Sequence, residues 1–187
     1  MDRFDICLPH VLAQECPYPN DWSNSRNYSD DPGDSGGPTM CGITHREYDL
    51  WRKGHSLPVQ NVIHIGKDEG YALYRIGYWL PHCPSLPPGL DLFYFDTAVN
   101  MGCSRAIQLL QASLGITADG LWGPVTAAAV ANIKPEYVKG IIADEEQRRL
   151  KRYESFAGFH RFGRVWLARD MTIGQTAIGM VSPVVMT

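Results

Sequence analysis

Residues 33–44 read GDSGGPTMCGIT, which combines a glycine-rich turn with the pattern of a short hairpin. The glycines permit the positive φ angles that tight turns need, and residues 39–44 predict two short strands. Asp34 and Ser35 place a carboxylate and a hydroxyl on this turn. Enzymes of two different classes could use such an arrangement, and the rest of the chain decides between them.

The run GDSGGP at 33–38 resembles the nucleophile loop of trypsin-like serine proteases. Such a serine needs a histidine base and an orienting carboxylate, which in that family precede it on a two-barrel β scaffold. Only His10 lies upstream of Ser35, and the segment before Ser35 is too short to build a barrel. The segment after Ser35 is mostly helical in pattern. A serine protease therefore remains only a distant alternative.

The composition is that of an ordinary globular protein, with 187 residues, 44% hydrophobic and 20% charged. The net charge of −3 lacks the excess of positive charge typical of nucleic-acid-binding proteins, so no nucleic-acid partner is expected. No apolar run approaches the roughly 18 residues of a membrane span, which predicts no stable membrane insertion. The N-terminus, MDRFDICLPH, lacks the apolar core of a Sec signal, which predicts synthesis in the cytoplasm without one.

Five cysteines, at 7, 16, 41, 83 and 103, form neither a C-x-x-C pair nor a zinc spacing. We therefore expect reduced thiols, no metal and no cofactor. Cys7 and His10 share an i, i+3 spacing, which core packing explains better than a metal site. A disulfide between Cys16 and Cys41 after export stays open as the alternative to two buried thiols.

Apolar periodicity predicts a helix over 4–15 that places Leu8, Val11, Leu12 and Glu15 on one face. Pro17 ends it, and the polar, glycine-rich and proline-rich segment 16–38 predicts a long loop. Further helices are predicted at 45–53, 67–79, 89–114, 125–132, 135–153 and 160–171.

Several sequence blocks occur in a fixed order: FDICLPHVL (4–12), Glu15, DPGDSGGPT (31–39), GIT (42–44), Tyr74-Arg75, Tyr78-Trp79 and FDTAVNMG (95–102). This series resembles glycoside hydrolase family 108, whose members are N-acetylmuramidases of phages and prophages or muramidase-like secretion activators. The resemblance covers roughly residues 4–100. It implies an α+β, mostly helical, lysozyme-like fold with a small β-hairpin and a C-terminal helical region.

A second pattern follows: Leu110-Gln111, Leu114-Gly115, Asp119-Gly120, Gly123-Pro124 and Thr126. It resembles the LQ…LG…DG…G…T signature of small helical peptidoglycan-binding modules, although taken alone it also fits an ordinary helix-turn-helix. The two resemblances imply a lysozyme-like catalytic domain at 1–100 and a helical peptidoglycan-binding region at 101–187.

Glycoside hydrolysis needs one carboxylic acid to protonate the leaving oxygen and a second carboxylate as base or nucleophile. Glu15 is the expected acid, since an apolar helix face disfavours its charged form, and Asp34 on the polar turn is the expected base. Thr39 would orient the attacking water. The resemblance implies this Glu/Asp/Thr set and an inverting reaction with carboxyl groups roughly 6.5–9.5 Å apart, although the sequence does not separate inverting from retaining outcomes.

Four further side chains are expected to contact the sugar: Tyr48, Tyr78, Trp79 and Asn100. For Asn100 a structural role, satisfied by protein groups, is an equal alternative. The implied activity is that of an endolysin, cleaving the β-1,4 bond between N-acetylmuramic acid and N-acetylglucosamine. The expected partner of this monomer is the glycan strand of peptidoglycan. It would be reached after holin-type release or from within a phage particle.

The chain departs from the family pattern around Glu15. Cys16-Pro17 replaces two glycines, and Asp34 lies nineteen residues after Glu15 instead of nine. This implies a ten-residue insertion, which we expect to form a lid or rim beside the cleft. The altered context favours the main alternative, a non-catalytic wall-binding secretion or phage-tail component with the same fold.

Overall fold

The computed structural model describes residues 2–30 and 37–181, and the chain forms two compact units, Met1–Gly77 and Tyr78–Thr187. Among these described residues, the first unit contains three α-helices, α1 (Arg3–Glu15), α2 (His45–Gly54) and α3 (Lys67–Tyr74). It also contains a three-stranded antiparallel sheet in the order β1 (Tyr28–Ser29), β2 (Thr39–Met40) and β3 (Ile43–Thr44).

The predicted hairpin at 39–44 is confirmed. Thr39 pairs with Thr44 and Met40 with Ile43, which leaves Cys41 and Gly42 as a two-residue loop. Both loop residues have positive φ, 47° and 75°, as a type I′ turn requires. Helix α2 begins directly after this hairpin, because the Thr44 side chain accepts from the Glu47 backbone and the Glu47 side chain accepts from the Thr44 backbone.

Helix α1 confirms the predicted helix and its buried face. The Asp2 carboxylate caps it by accepting from the Phe4 N–H at 3.2 Å. Pro9 lies inside the helix and not in its first turn, where proline is best tolerated. It is exposed there, so the ring faces solvent while burial of Leu8 and Leu12 holds the helix.

The segment after α1 was predicted as a long loop, and its described part consists mainly of turns, with a single 3-10 turn at Ser25–Asn27 and the edge strand β1. The side chain of Asn27 makes three hydrogen bonds within this segment. It accepts from Tyr18 N at 3.0 Å and donates to Tyr18 O and Asp21 O at 2.9 Å. Trp22 is buried, with its ring where a Cβ on Gly70 would stand. The hydrogen bonds of Asn27 and the packing of Trp22 against Gly70, which periodicity does not report, give residues 18–27 a defined conformation.

The second unit contains five helices within the described residues: α4 (Leu90–Met101), α5 (Cys103–Ser113), α6 (Pro124–Ala131), α7 (Val138–Glu154) and α8 (Phe159–Met180). The single helix predicted over 89–114 is wrong. It breaks at Gly102, whose φ of 85° and ψ of 151° end α4 and begin α5. Helix α8 extends beyond the predicted end at 171.

Together these elements confirm the predicted class: α+β and mostly helical, with a small hairpin and a C-terminal helical region. No helix in the described part of the chain is both long and apolar enough to cross a bilayer. The predicted functional boundary at 100/101 falls inside the second unit, at the end of α4, and the division of roles between 1–100 and 101–187 stays a prediction.

Candidate active site

Glu15 is the last residue of α1, where the predicted apolar face ends. Leu8, Val11 and Leu12 are buried on that face, and Glu15 itself is partly buried. The next residue, Cys16, leaves the helix in an extended conformation while its N–H donates to Leu12 O at 3.0 Å. The helix end thus holds a carboxyl between the apolar interior of the unit and its surface.

The β2–β3 turn approaches Glu15 directly. A Cβ placed on Gly42 would lie 2.5 Å from Glu15 Oε2 and 3.1 Å from Glu15 Cβ. The φ of Gly42 is also +75°, so both its backbone and its surroundings require glycine. The hairpin backbone therefore packs against the Glu15 side chain.

Tyr74 of α3 fixes this turn from another side. Its ring is buried, and its hydroxyl donates to Cys41 O at 2.8 Å. The same hydroxyl oxygen lies 3.0 Å from the Cβ position of Gly42, which also borders Glu15. Three elements, α1, the hairpin and α3, thus converge on one carboxyl.

Cys16 and Cys41 form a pair of buried thiols beside Glu15. They hydrogen-bond each other, which lowers the pKa of Cys16 against the opposing effect of its burial. The same hydrogen bond, together with burial, raises the pKa of Cys41. The favoured interpretation of two buried thiols fits this arrangement, and a disulfide after export stays an untested alternative.

Of the two remaining proposed catalytic residues, Thr39 lies on the hairpin and Asp34 precedes the hairpin in the sequence. Thr39 is in the central strand β2, partly buried, and pairs with Ser29 on one side and Thr44 on the other. Asp34, and with it Ser35, lies outside the described residues. The described residues contain only three two-residue strands, so they provide no two-barrel β scaffold for a trypsin-like protease.

An open cleft of about 590 Å³ lies in the first unit, beside the ends of the segment that carries Asp34. Asp30 and Pro38 line it, together with Tyr28 and the polar face of α2. Glu15 and Thr39 are not among its described lining residues. The cleft combines an aromatic ring with charged and amide side chains, the mixture that sugar-binding surfaces use.

Tyr48, one of the predicted sugar contacts, is fully buried in the first unit. Its hydroxyl contacts Glu69 and Gln60 and accepts from Arg52 at 2.9 Å, and Arg52 pairs with Glu69 at 2.7 Å. This hydroxyl is engaged by protein groups that join α2 to α3. Its contact with sugar stays a prediction that the burial does not support.

The other three predicted sugar contacts lie in the second unit. Trp79 is buried and packs edge-on against Phe95, with ring centroids 5.3 Å apart. Tyr78 and Asn100 are partly buried, and Asn100 Oδ1 accepts from the Tyr153 hydroxyl at 2.7 Å. The structural role considered for Asn100 is therefore present, and its role in sugar binding stays a prediction.

Four residues of the LQ…LG…DG…G…T pattern, Gln111, Asp119, Gly120 and Thr126, form one hydrogen-bonded cluster around the buried Gln111 side chain. Gln111 donates to Asp119 Oδ1 at 2.8 Å and to Thr126 Oγ1 at 2.9 Å, while its own carbonyl oxygen accepts from Gly120 N at 2.9 Å. A Cβ on Gly120, whose φ is +76°, would lie 2.7 Å from Ser104 Oγ. The polar side chains of this signature are thus used to fold the α5–α6 connection.

Sequence reasoning missed a buried charge network in the second unit. Asp96 accepts from Arg149 at 2.7 Å and from Arg169 at 2.8 Å, and Arg149 also contacts Asp170. All of these side chains are buried. The sequence did contain one indication of this network, because Asp96 lies in the apolar run LFYFDTAV (92–99) and a buried carboxylate needs a charged or hydrogen-bonding partner.

Glu145 of α7 is buried as well, and neither of its oxygens has a hydrogen-bond partner among the described residues. Burial raises its pKa to about 8, so the carboxyl is largely neutral at pH 7. No three His, Cys, Asp or Glu side chains converge as a metal site within residues 2–30 and 37–181.

Comparison with known proteins agrees with this architecture. The family model described as Glycosyl hydrolase 108 matches residues 10–102. The solved structure of SagA from Brucella abortus is similar to this chain with a TM-score of 0.80 and 28% sequence identity, over 98% of each chain. No curated protein sequence matches the chain at a significant level. The match over residues 10–102, which contains Glu15 and the hairpin, identifies the chain as a member of glycosyl hydrolase family 108 and hence as a glycoside hydrolase.

Proposed function

We propose that this glycoside hydrolase is an N-acetylmuramidase that cleaves the β-1,4 bond between N-acetylmuramic acid and N-acetylglucosamine in peptidoglycan. Glu15 acts as general acid, Asp34 as base and Thr39 as the residue that positions water. Family membership supports hydrolysis of a glycosidic bond. The finer assignment rests on the residues around Glu15.

The close approach of Gly42 to Glu15 carries this proposal. A general acid must be held in one position relative to the scissile bond. The end of α1 and the hairpin turn restrict the Glu15 carboxyl, and Tyr74 holds that turn through its hydrogen bond to Cys41 O. Partial burial and the carbonyl end of α1 both disfavour a negative charge at this position. Both effects suit a proton donor.

The hairpin also links the proposed acid to the proposed water-positioning residue. Thr39 and Gly42 belong to the same two-stranded turn, and the segment carrying Asp34 enters that turn through Gly37 and Pro38. Movement of this hairpin would therefore change the position of Thr39 relative to Glu15. The adjoining cleft of about 590 Å³ is large enough for a sugar unit.

The test is digestion of purified peptidoglycan by the wild type and Glu15→Gln, with borohydride reduction and mass spectrometry of the products. We expect muropeptides with reduced muramic acid ends from the wild type and a loss of at least about 100-fold in the variant, the scale of a general acid's contribution. The exposed Glu136→Gln is the matched control, since it removes the same charge elsewhere.

Three other outcomes would contradict the proposal. Anhydro-muramic ends would indicate a lytic transglycosylase on the same fold. Full activity of Glu15→Gln would remove Glu15 from the mechanism, and if Ser35→Ala then abolished activity the serine hydrolase alternative would return. Absence of products with retained wall binding would favour the non-catalytic wall-binding component, for which the unusual Cys16 next to Glu15 is the supporting observation.

A further inference from the structure

A second cleft, of about 430 Å³, lies within the Tyr78–Thr187 unit. Its lining comes from three places: Asn100 and Arg105 at the α4–α5 junction, Arg152, Tyr153 and Phe156 at the end of α7, and Trp166 in α8. None of these residues belongs to the proposed catalytic set. The described residues that line it include no acidic side chain.

One wall of this cleft is aromatic. Trp166 stacks on Tyr153 with ring centroids 5.4 Å apart and an angle of 26° between the planes. Phe156 meets Trp166 edge-on at 5.9 Å. Trp166 is only partly buried, so the cluster presents a rigid apolar surface to a ligand at little cost in conformational entropy.

The charged side of the cleft consists of two guanidinium groups without a carboxylate partner among the described residues. Arg105 donates to Gln108, and Arg152 donates to Ser155 Oγ at 3.3 Å and lies 4.9 Å from the centre of the Phe156 ring. Arg152 Nε is buried and has no hydrogen-bond partner in the described part of the chain. Arg148 and Arg149, in contrast, are both paired with aspartates.

An unpaired buried N–H costs free energy, and a planar fork of guanidinium donors matches a carboxylate. The amide nitrogen of Asn100 adds a neutral donor, because Asn100 Oδ1 is already the acceptor for Tyr153. The ligand that fits therefore combines a carboxylate with a small apolar group that can lie on the Trp166 wall.

We propose that this cleft binds a carboxylate of the short peptide stem that peptidoglycan carries. The assignment rests on the proposed function, which places the substrate in the cell wall. Arg152 and Arg105 bind the carboxylate, and the Trp166 cluster contacts an aliphatic side chain of the stem. The catalytic centre would then hydrolyse the glycan while this second site recognises the peptide attached to it.

The test measures binding by calorimetry with the full chain carrying Glu15→Gln, so that the ligand is not consumed. The ligands are a disaccharide-tetrapeptide, the same compound with its carboxylates amidated, and the disaccharide alone. Arg152→Gln should weaken binding of the tetrapeptide compound about tenfold or more, the scale of a lost charge-assisted hydrogen bond. It should leave binding of the other two ligands unchanged.

Arg164→Gln is the matched control, since it removes an exposed charge from α8 outside the cleft. Arg152→Lys keeps the positive charge but lacks the planar fork of donors, so it should lose less affinity for the tetrapeptide compound than Arg152→Gln. It also provides a second variant in case Arg152→Gln does not fold. Equal tetrapeptide binding by Arg152→Gln and Arg164→Gln would overturn the proposal. So would an equal loss of disaccharide binding, because the cleft would then recognise sugar.

Hydrolysis is measured separately on chains that retain Glu15. If the wild type does not hydrolyse peptidoglycan but binds the tetrapeptide through Arg152, the proposed function fails and this inference stands. If hydrolysis depends on Glu15 and binding does not depend on Arg152, the inference fails alone.

Discussion

At the scale of single residues, Gly42 is a position where both the backbone conformation and the neighbouring Glu15 oppose any side chain. Replacement by alanine adds a Cβ 2.5 Å from Glu15 Oε2 at a φ of +75°. We expect Gly42→Ala to cost about 1–2 kcal/mol through its backbone and to reduce hydrolysis at least tenfold further by displacing the Glu15 carboxyl.

Gly115→Ala separates these two effects. Gly115 has a similar φ of +70°, but a Cβ there would meet nothing within 4 Å. It should therefore reproduce the backbone cost without the loss of activity. Urea unfolding and peptidoglycan hydrolysis of both variants provide the check, and equal activity of the two would show that the Gly42 contact does not position Glu15.

The sequence correctly placed Glu15 at the end of an apolar helix face, while its catalytic role stays a prediction, and the burial of Tyr48 does not support the predicted sugar contact. The apolar spacing before Glu15 lies within one helix, so a local pattern places it. The burial of Tyr48 depends on Glu69 and Gln60, which lie 21 and 12 residues away. Residue type alone does not distinguish a core tyrosine from a sugar-binding one.

At the scale of elements, buried ion pairs join α4, α7 and α8 within the second unit. Asp96 is 0% exposed and binds Arg149 and Arg169, which are 0% and 8% exposed. We expect Asp96→Asn to lower the free energy of unfolding by about 3–5 kcal/mol, because it leaves two buried guanidinium groups without their shared anion.

Asp144→Asn is the comparison for this prediction. It breaks the Asp144–Arg148 pair, whose two side chains are both 41% exposed, and should cost less than about 1 kcal/mol. Urea unfolding monitored by tryptophan fluorescence measures both variants. Similar losses in the two would mean that the buried network adds little to the stability of the second unit.

The break between α4 and α5 shows that apolar periodicity does not predict where a helix is interrupted. Apolar residues continue across 89–114, so the pattern predicts one helix. Glycine is unfavourable but tolerated inside helices, and packing decides whether it continues or breaks one. Here Gly102 takes a φ of 85°, and α5 begins in a new direction.

At the scale of the whole molecule, Glu145 makes stability depend on pH. Its pKa is raised by burial from 4.5 to about 8, so the folded chain holds a proton that the unfolded chain releases. The free energy of unfolding from this group is therefore highest below about pH 4.5 and falls as pH rises to about 8. The slope is about 1.4 kcal/mol per pH unit at most.

Glu145→Gln keeps the shape of the neutral acid and cannot ionise. Relative to the wild type, it should gain about 2 kcal/mol in unfolding free energy between pH 6 and pH 8.5. Glu154→Gln, at an exposed position of the same helix, should give no such gain. Urea unfolding at both pH values measures this, and parallel pH profiles of wild type and Glu145→Gln would contradict the assigned burial.

The sequence by itself determined the mostly helical α+β class, the hairpin at 39–44 and the place of Glu15 at the end of an apolar helix face. These features follow from local periodicity, capping and turn chemistry, which depend only on residues close together in the sequence. Only the tertiary structure decided that Gly42 and Tyr74 surround Glu15, and that Asp96 pairs with arginines 53 and 73 residues away. Such contacts depend on which distant side chains packing brings together, and no local pattern specifies them.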